Sequence, residues 1–173
     1  ISSNGNLVIC NGEEGAALGQ LIINTKRACV NAVSGTLEIT GVKITATSQE
    51  VNGLSAKSIS LSDVTLSATS SWDTISTDSA AINIENSTVE AYCTGGDYAF
   101  ESAPNISGAF AVYAGDDESG ASKVGSPTDE TYTTRKYVRI EPLKSYTVTT
   151  FDTNGVTHGG SYSIDKTIAI AGE

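Results

Sequence analysis

The sequence has little of what most metal-binding and nucleic-acid-binding proteins depend on. Its 173 residues include one His, three Cys, three Pro, one Trp and no Met. So few His and Cys exclude an ordinary structural zinc site, and no apolar run is long enough to cross a membrane as a helix. Lys and Arg number 10 against 20 acidic residues, and a net charge of −10 repels a phosphate backbone. We therefore expect no nucleic-acid partner, no membrane insertion and no cofactor.

Hydroxyl side chains supply most of the polarity. Ser and Thr make up 43 residues, while the hydrophobic fraction is still 39%. Disordered segments are poorer in aliphatic residues and carry their charge in blocks, so the composition predicts a globular chain. An acidic, hydroxyl-rich surface with few Lys favours export. The chain begins at Ile1 without a charged and apolar leader, which predicts a segment of a longer or processed protein.

The three cysteines do not form a motif. Cys10, Cys29 and Cys93 are odd in number, and no two have CxxC spacing. A disulfide between Cys10 and Cys29 is one hypothesis for an exported protein. The other, which we favour, is that the thiols are buried or partly buried and pack as small apolar side chains.

An internal repeat decides the fold class. Apolar residues alternate, skip one residue at a corner of small or turn-forming residues (40–41, 62–63 and 85–86), and alternate again. A third short segment follows each copy, at residues 53–56, 74–77 and 98–101. The copies recur at offsets of 22 and 23 residues, over residues 37–46, 59–68 and 82–91, and a weaker fourth copy runs through Asn105, Ser107, Phe110, Val112 and Ala114.

This repeat predicts an all-β fold, a single-stranded right-handed parallel β-helix (a β-solenoid) with about three strands per coil and a short C-terminal β extension. A sandwich or barrel is the alternative. Antiparallel hairpins favour two-residue Asn-Gly or Asp-Gly turns, and the repeat region has almost none. In the solenoid, equivalent residues should stack in columns: Leu37 with Ile59 and Ile82, Ile44 with Leu66 and Val89, and Ala46 with Ala68 and Ala91.

Both ends of such a stack must be closed. We expect residues 1–34 to supply an atypical first coil, with residues 13–18 as the only helical turn. Residues 132–140 alternate and are expected to close the last coil by pairing with the stretch around Val112 and Tyr113. The solenoid domain then spans residues 1–142. Residues 143–173 form a linker and the incomplete start of a second β domain, with His158 in an exposed loop.

Two parts of the chain resemble known modules. The repeats, the step at residues 112–116 and the ending Tyr137-Val138-Arg139-Ile140-Glu141-Pro142 resemble repeat-built right-handed β-helix domains of exported surface proteins of Gram-positive gut bacteria. The function of those domains is undefined, and some are carbohydrate-binding-like. Residues 145–155, and residues 160–167 with the following Ala171-Gly172-Glu173, are similar to the start of a Listeria–Bacteroides (internalin B-type) repeat. The resemblance implies a string of domains displayed outside the cell or attached to the cell wall, for adhesion or scaffolding.

The outward-facing positions argue against catalysis. Polysaccharide enzymes with this fold need clustered carboxylates, as calcium ligands beside a basic residue or as a hydrolytic pair. Here the rows are mostly hydroxyls with single charges, and Glu85 and Glu90 fall on different strands. Asp116, Asp117 and Glu118 lack EF-hand spacing, so we expect a solvated loop there. The sequence thus predicts no catalytic residue and no metal site, and a degenerate polysaccharide enzyme is only the third hypothesis.

Binding is better supported than catalysis. The turns after the Ala positions should stack on one edge of the solenoid, where rings can contact sugar CH groups and carboxylates can bind sugar hydroxyls. The alternative is that the Trp ring simply packs over the neighbouring turn. The candidate ligand-binding residues on these turns are Trp72, Asp73, Tyr92, Asp97 and Tyr98.

We therefore predict a non-catalytic, monomeric display or adhesion module of a cell-surface protein. The second hypothesis is a carbohydrate-binding module that uses the turn edge. The expected partner is an extracellular polysaccharide or a ligand on a host or cell surface.

Overall fold

The computed structural model describes residues 1–12, 18–77, 81–151 and 157–164. Within these residues the chain forms sixteen strands and one short helix, α1 (Asp129–Thr133). The strands are β1 (Ser2–Ser3), β2 (Leu7–Cys10), β3 (Gly19–Thr25), β4 (Val30–Thr40), β5 (Val42–Ser48), β6 (Leu54–Ser62), β7 (Thr65–Ser70), β8 (Ile75–Thr77), β9 (Ile82–Glu85), β10 (Thr88–Cys93), β11 (Asn105–Ser107), β12 (Phe110–Gly115), β13 (Ser122–Val124), β14 (Tyr137–Pro142), β15 (Lys144–Phe151) and β16 (Thr157–Ile164).

Equivalent strands pair in parallel and build a β-solenoid of about four turns. The predicted columns are confirmed, because each strand lies in register with the strand one repeat later. Parallel pairing at a fixed offset rules out the antiparallel sandwich for the repeat region. The columns are Leu7, Leu37, Ile59 and Ile82 in one sheet, and Leu21, Ile44, Leu66 and Val89, followed by Ile23, Ala46, Ala68 and Ala91, in the other.

Strand alternation places one face of each strand in a continuous interior. In β7, Leu66 and Ala68 are buried while Ser67 and Thr69 between them stay partly exposed. Burying a Leu or Ile contributes roughly 1.5–3 kcal/mol, whereas ordering the backbone costs about 1–2 kcal/mol per residue. A single coil of about 23 residues therefore cannot fold alone. Stacking makes it stable, since neighbouring coils supply both apolar contacts and backbone hydrogen bonds.

The corner between the first and second strand of a turn uses a left-handed residue. Gly41, Asp63 and Asn86 have φ of 64°, 55° and 43°. Gly lacks the Cβ that clashes in this region, and Asp and Asn tolerate it better than other side chains do. The corners also bond to one another, since the Asp63 N–H donates to the Glu85 carbonyl over 3.2 Å and the Asn86 amide donates to the Asp63 carboxylate. The predicted corners are confirmed.

The third segments pair as expected but do not form separate strands in every turn. Residues 54–56 pair with β8, and Ile75 bridges to Phe100. In β4 and β6, however, the third segment continues into the first strand of the next turn, so both belong to one sheet. In β4 the bend is marked by a register irregularity between Ala32 and Thr36. Gly35 occupies it because a Cβ there would collide with the backbone of Asn6.

Strand β14 closes the C-terminal end of the stack. It lies antiparallel between β10 and β12, with Ile140 opposite both Val89 and Val112. The predicted pairing of residues 132–140 with the Val112 stretch is thus confirmed for β14. The fourth repeat copy continues the stack only in part. Its first strand, β11, pairs in parallel with β9, but its second, β12, is separated from β10 by the inserted β14.

Helix α1 was not predicted, since the only expected helical turn falls on residues 13–18, and residues 13–17 lie outside the described residues. The Thr131 hydroxyl accepts a hydrogen bond from the Thr128 N–H over 3.0 Å, which supports the helix start. Tyr132 packs edge-on against Phe100 with ring centroids 6.0 Å apart, and both rings are buried. The helix therefore covers the interior at the last turn. In the described ranges, no helix is long and apolar enough to span a membrane.

Beyond the closing strand, β15 and β16 form an antiparallel hairpin. The prediction that His158 lies in a loop is wrong, because it belongs to β16 and pairs with Thr150. The division into a solenoid domain up to residue 142 and a second β domain from residue 143 stays a prediction.

The cysteines are free thiols in this structure. Cys29 and Cys93 are buried, as expected for thiols that pack as apolar side chains. Cys10 differs, because it is exposed on the outer face of β2. Burial raises the pKa of both the Cys29 and the Cys93 thiol, which keeps them protonated and unreactive at neutral pH.

Candidate functional site

The predicted turn edge exists. The turn at residues 71–74 joins β7 to β8, and the turn at residues 94–98 follows β10 one repeat later. The Thr94 N–H donates to the Ser70 carbonyl over 2.7 Å, and the Thr74 N–H donates to the Tyr98 carbonyl over 3.1 Å. The two turns are therefore stacked and fixed to each other at both ends. We use "turn edge" for these two turns.

Two aromatic side chains of the turn edge face solvent. Trp72 is 54% exposed and Tyr98 is 41% exposed. The expected alternative, that Trp72 packs over the neighbouring turn, would cover no more than about half of its surface. Below the ring, the buried Ser70 hydroxyl donates to the Trp72 carbonyl over 2.6 Å and lies 3.0 Å from the Thr74 hydroxyl. Exposed rings thus stand on a backbone that is held from inside the solenoid.

Carboxylates lie beside these rings. Asp73 Oδ1 accepts a hydrogen bond from the Tyr98 N–H over 3.2 Å, which ties the acid of one turn to the backbone of the next. Burial raises the pKa of Asp73 above its usual value, and the nearby carboxylates of Asp97 and Glu101 raise it further, against the lowering effect of that hydrogen bond. The edge therefore presents acidic acceptors next to aromatic surface.

Tyr92 does not belong to this edge. It lies on the outer face of β10 between Thr69 of β7 and Tyr137 of β14. Its ring meets the Tyr137 ring edge-on, with centroids 6.2 Å apart. The structure thus brings four of the five candidate residues onto adjacent turns and places Tyr92 on a different surface.

The sequence reasoning missed Glu101 and Asn52. Glu101 accepts hydrogen bonds from the Ser76 hydroxyl over 2.6 Å and the Thr77 N–H over 2.9 Å. Asn52 donates to the Asp73 carbonyl over 2.9 Å from the preceding turn. The position of Glu101 was hidden because Ile75 pairs with Phe100 at an offset of 25 residues, longer than the repeat period. Asn52 could have been found from its place about one period before the turn.

The outward rows carry scattered charges, as the repeat predicts. Glu38, Ser60 and Asn83 are in register, and so are Thr45, Ser67 and Glu90. In the acidic loop, Asp117 Oδ1 accepts hydrogen bonds from the Ser119 hydroxyl over 2.7 Å and the Gly120 N–H over 2.8 Å, which lower the pKa of Asp117. Across the described part of the chain, no group of three or more His, Cys, Asp or Glu residues is arranged to hold a metal ion.

In comparisons with known proteins, no family model, no curated protein and no solved structure matches the chain. Function is therefore inferred from the geometry of the chain itself.

Proposed function

We propose that this chain is a non-catalytic display or adhesion module of a larger exported bacterial protein, extracellular or attached to the cell wall. The resemblance of its repeats to surface β-helix domains, and of its C-terminal segment to the start of an internalin B-type repeat, supports this proposal. So does the surface chemistry, because stacked Ser and Thr positions favour strand formation while keeping the outer faces wet. In this proposal the turn edge is the contact surface.

One observation carries the proposal: Trp72 and Tyr98 are exposed on adjacent turns that are bonded to each other through their backbones. A large exposed ring contributes to binding when it is already ordered, because little conformational entropy is then lost on contact. Rings of this type are also frequent among residues that dominate binding energy.

Adhesion can be tested with the purified chain on surfaces coated with mucin, plant cell-wall polysaccharide or bacterial cells. We expect retention on at least one surface and a loss of about tenfold or more in affinity for Trp72→Ala. Ile22→Ala is the matched control, since Ile22 is 62% exposed on β3, away from the turn edge. No retention on any surface, or equal loss in the two variants, contradicts adhesion through this edge.

A carbohydrate-binding module is the second candidate. The observation in its favour is the hydrogen bond from the Tyr98 N–H to Asp73, which places a carboxylate acceptor beside an exposed ring. Polysaccharide binding would appear in a glycan array as selective signals that Trp72→Ala and Asp73→Ala both reduce. If the protein adheres to cells but binds no glycan, the ligand is a protein or another surface component.

A further inference from the structure

A second surface on the solenoid has the form of a small-molecule site. It lies on the outer face of β7, β10 and β14, where the loop at residues 116–120 folds over the strands and leaves a groove of about 670 Å³. Volumes of about 300–1,000 Å³ are usual for ligand sites. We call it the Tyr92 groove and define it by six of its lining residues: Thr69, Glu90, Tyr92, Glu118, Ser119 and Tyr137.

The aromatic part of the groove is rigid. Tyr137 is only 2% exposed, although it projects from the outer face of the sheet with Tyr92. It is shielded by the edge-on contact with Tyr92 and by the loop that covers it. The Tyr92 ring is partly exposed at the groove. A ring fixed in this way can receive the CH face of a ligand with little loss of side-chain entropy.

The polar part of the groove offers oriented acceptors. Glu90 Oε1 accepts a hydrogen bond from the Tyr137 hydroxyl over 3.0 Å. Asp117 Oδ1 is held by the Ser119 hydroxyl and the Gly120 N–H. Each carboxylate keeps a second oxygen that can accept further hydrogen bonds. Burial raises the pKa of Tyr137, and the carboxylates of Glu90 and Glu118 raise it further, so this phenol stays a neutral donor.

The pairing of these groups distinguishes between ligand classes. The described residues that line the groove include no Lys or Arg. Arg139 lies on the same face but its guanidinium stacks on Tyr113 of β12, 4.5 Å from the ring centroid. Acidic ligands such as uronates are therefore repelled. A primary ammonium group only donates hydrogen bonds, whereas the groove combines carboxylate acceptors with hydroxyls such as those of Thr69 and Ser119, which donate and accept. That combination matches a polyol.

We propose that the Tyr92 groove binds a neutral saccharide, with the CH face of a sugar ring on Tyr92 and sugar hydroxyls on Glu90, Asp117 and Ser119. This site is separate from the turn edge and does not depend on the adhesion proposal. It also gives Tyr92 a role on a surface where its neighbours Thr69 and Tyr137 complete the contact.

The test is a ¹H–¹⁵N NMR titration of the full chain with neutral trisaccharides (cellotriose, maltotriose, mannotriose and N,N′,N″-triacetylchitotriose) up to millimolar concentration. Charged trimers (trigalacturonate and chitotriose) are titrated in parallel. We expect saturable shifts of amides around Tyr92 and Ser119 with at least one neutral trimer. Tyr92→Ala should weaken binding at least about tenfold, whereas Tyr92→Phe should retain it, because the ring remains.

Tyr113→Ala is the matched control, since Tyr113 is a half-buried Tyr on the same sheet that does not line the groove. It should bind like the wild type. If Tyr92→Ala fails to fold, Glu90→Gln decides, because it keeps the side-chain shape but lowers acceptor strength and should weaken binding several-fold. Absence of binding by every neutral trimer overturns the proposal, as does equal binding of a charged trimer or an unchanged affinity in these variants. Loss in Trp72→Ala with none in Tyr92→Ala also overturns it, while leaving adhesion through the turn edge intact.

Discussion

The two ends of the solenoid bury their interiors to different extents. In the first turn, β1 and β2 pair only with β4, and β3 pairs only with β5, among the described strands. The inward-facing Leu7, Ile9, Leu21 and Ile23 are only partly buried, and the outward-facing Val8 and Ile22 are more than half exposed. At the other end, β14 pairs on both edges, and Val138 and Ile140 are completely buried.

This difference shows that the repeat alone does not close the stack. Each coil buries its inward residues only when something lies on both sides of it, and a further copy of the same pattern would always leave a new open edge. At the C-terminal end the solution comes from outside the repeat, as an antiparallel strand and a helical turn. In the described part of the first turn, the strands have no equivalent cover.

The largest expected effect compares the two ends of one column. Ile140 and Leu21 occupy its opposite ends, with Val89 and Leu66 between them. Ile140→Ala should lower the free energy of unfolding by about 2–5 kcal/mol, because it leaves a cavity in a closed interior. Leu21→Ala should cost less than half as much, since Leu21 is already partly exposed. Urea denaturation measures both, and equal losses would show that the first turn is as well covered as the last.

A smaller effect is expected at the turn edge near the closed end. A Cβ on Gly95 would overlap the carbonyl oxygen of Ser71, so Gly95→Ala must displace one of the two stacked turns. We expect a loss of about 1–3 kcal/mol in stability. Gly96→Ala is the control, because no atom lies within 4 Å of its Cβ position, and it should change stability by no more than about 0.5 kcal/mol. Thermal denaturation of both variants would contradict this packing if they melted alike.

The smallest effect concerns the charge of Asp73. Its pKa is raised in the folded protein, mainly by burial, so the folded state binds the proton more tightly than the unfolded state does. Stability should therefore fall as the pH rises from the ordinary Asp pKa through this raised value. Asp73→Asn keeps an acceptor for the Tyr98 N–H but cannot ionise, so its stability should not show that fall. Melting curves across this pH range compare the two, and parallel pH profiles would contradict the assigned burial.

The sequence predicted the repeat region well and the closing region poorly. Leu37, Ile59 and Ile82 could be placed in one column, and Asp63 and Asn86 at corners, because both depend on spacing that is visible within a single period. The place of β14 between β10 and β12 could not be predicted in the same way. Antiparallel pairing joins residues such as Val89 and Ile140 that are far apart in sequence and share no repeat.

The candidate site was predicted in part for the same reason. Trp72, Asp73, Asp97 and Tyr98 follow strands that stack, so their common edge could be expected from the period. Tyr92 was assigned to that edge because it comes just before the turn. The side chain of a strand residue points to one face or the other, and its surroundings there depend on which strand is its neighbour. For Tyr92 that neighbour is β14, which brings Tyr137 against it.

By itself, the sequence determined that coils of 22–23 residues stack in parallel, because alternating aliphatic residues at a constant period can be buried together only in that way. Only the tertiary structure decided how the last coil is covered and where the groove beside Tyr92 forms. The physical reason is that burial of a regular interior can be inferred from periodicity, whereas closure of its end depends on contacts between segments that no local pattern connects.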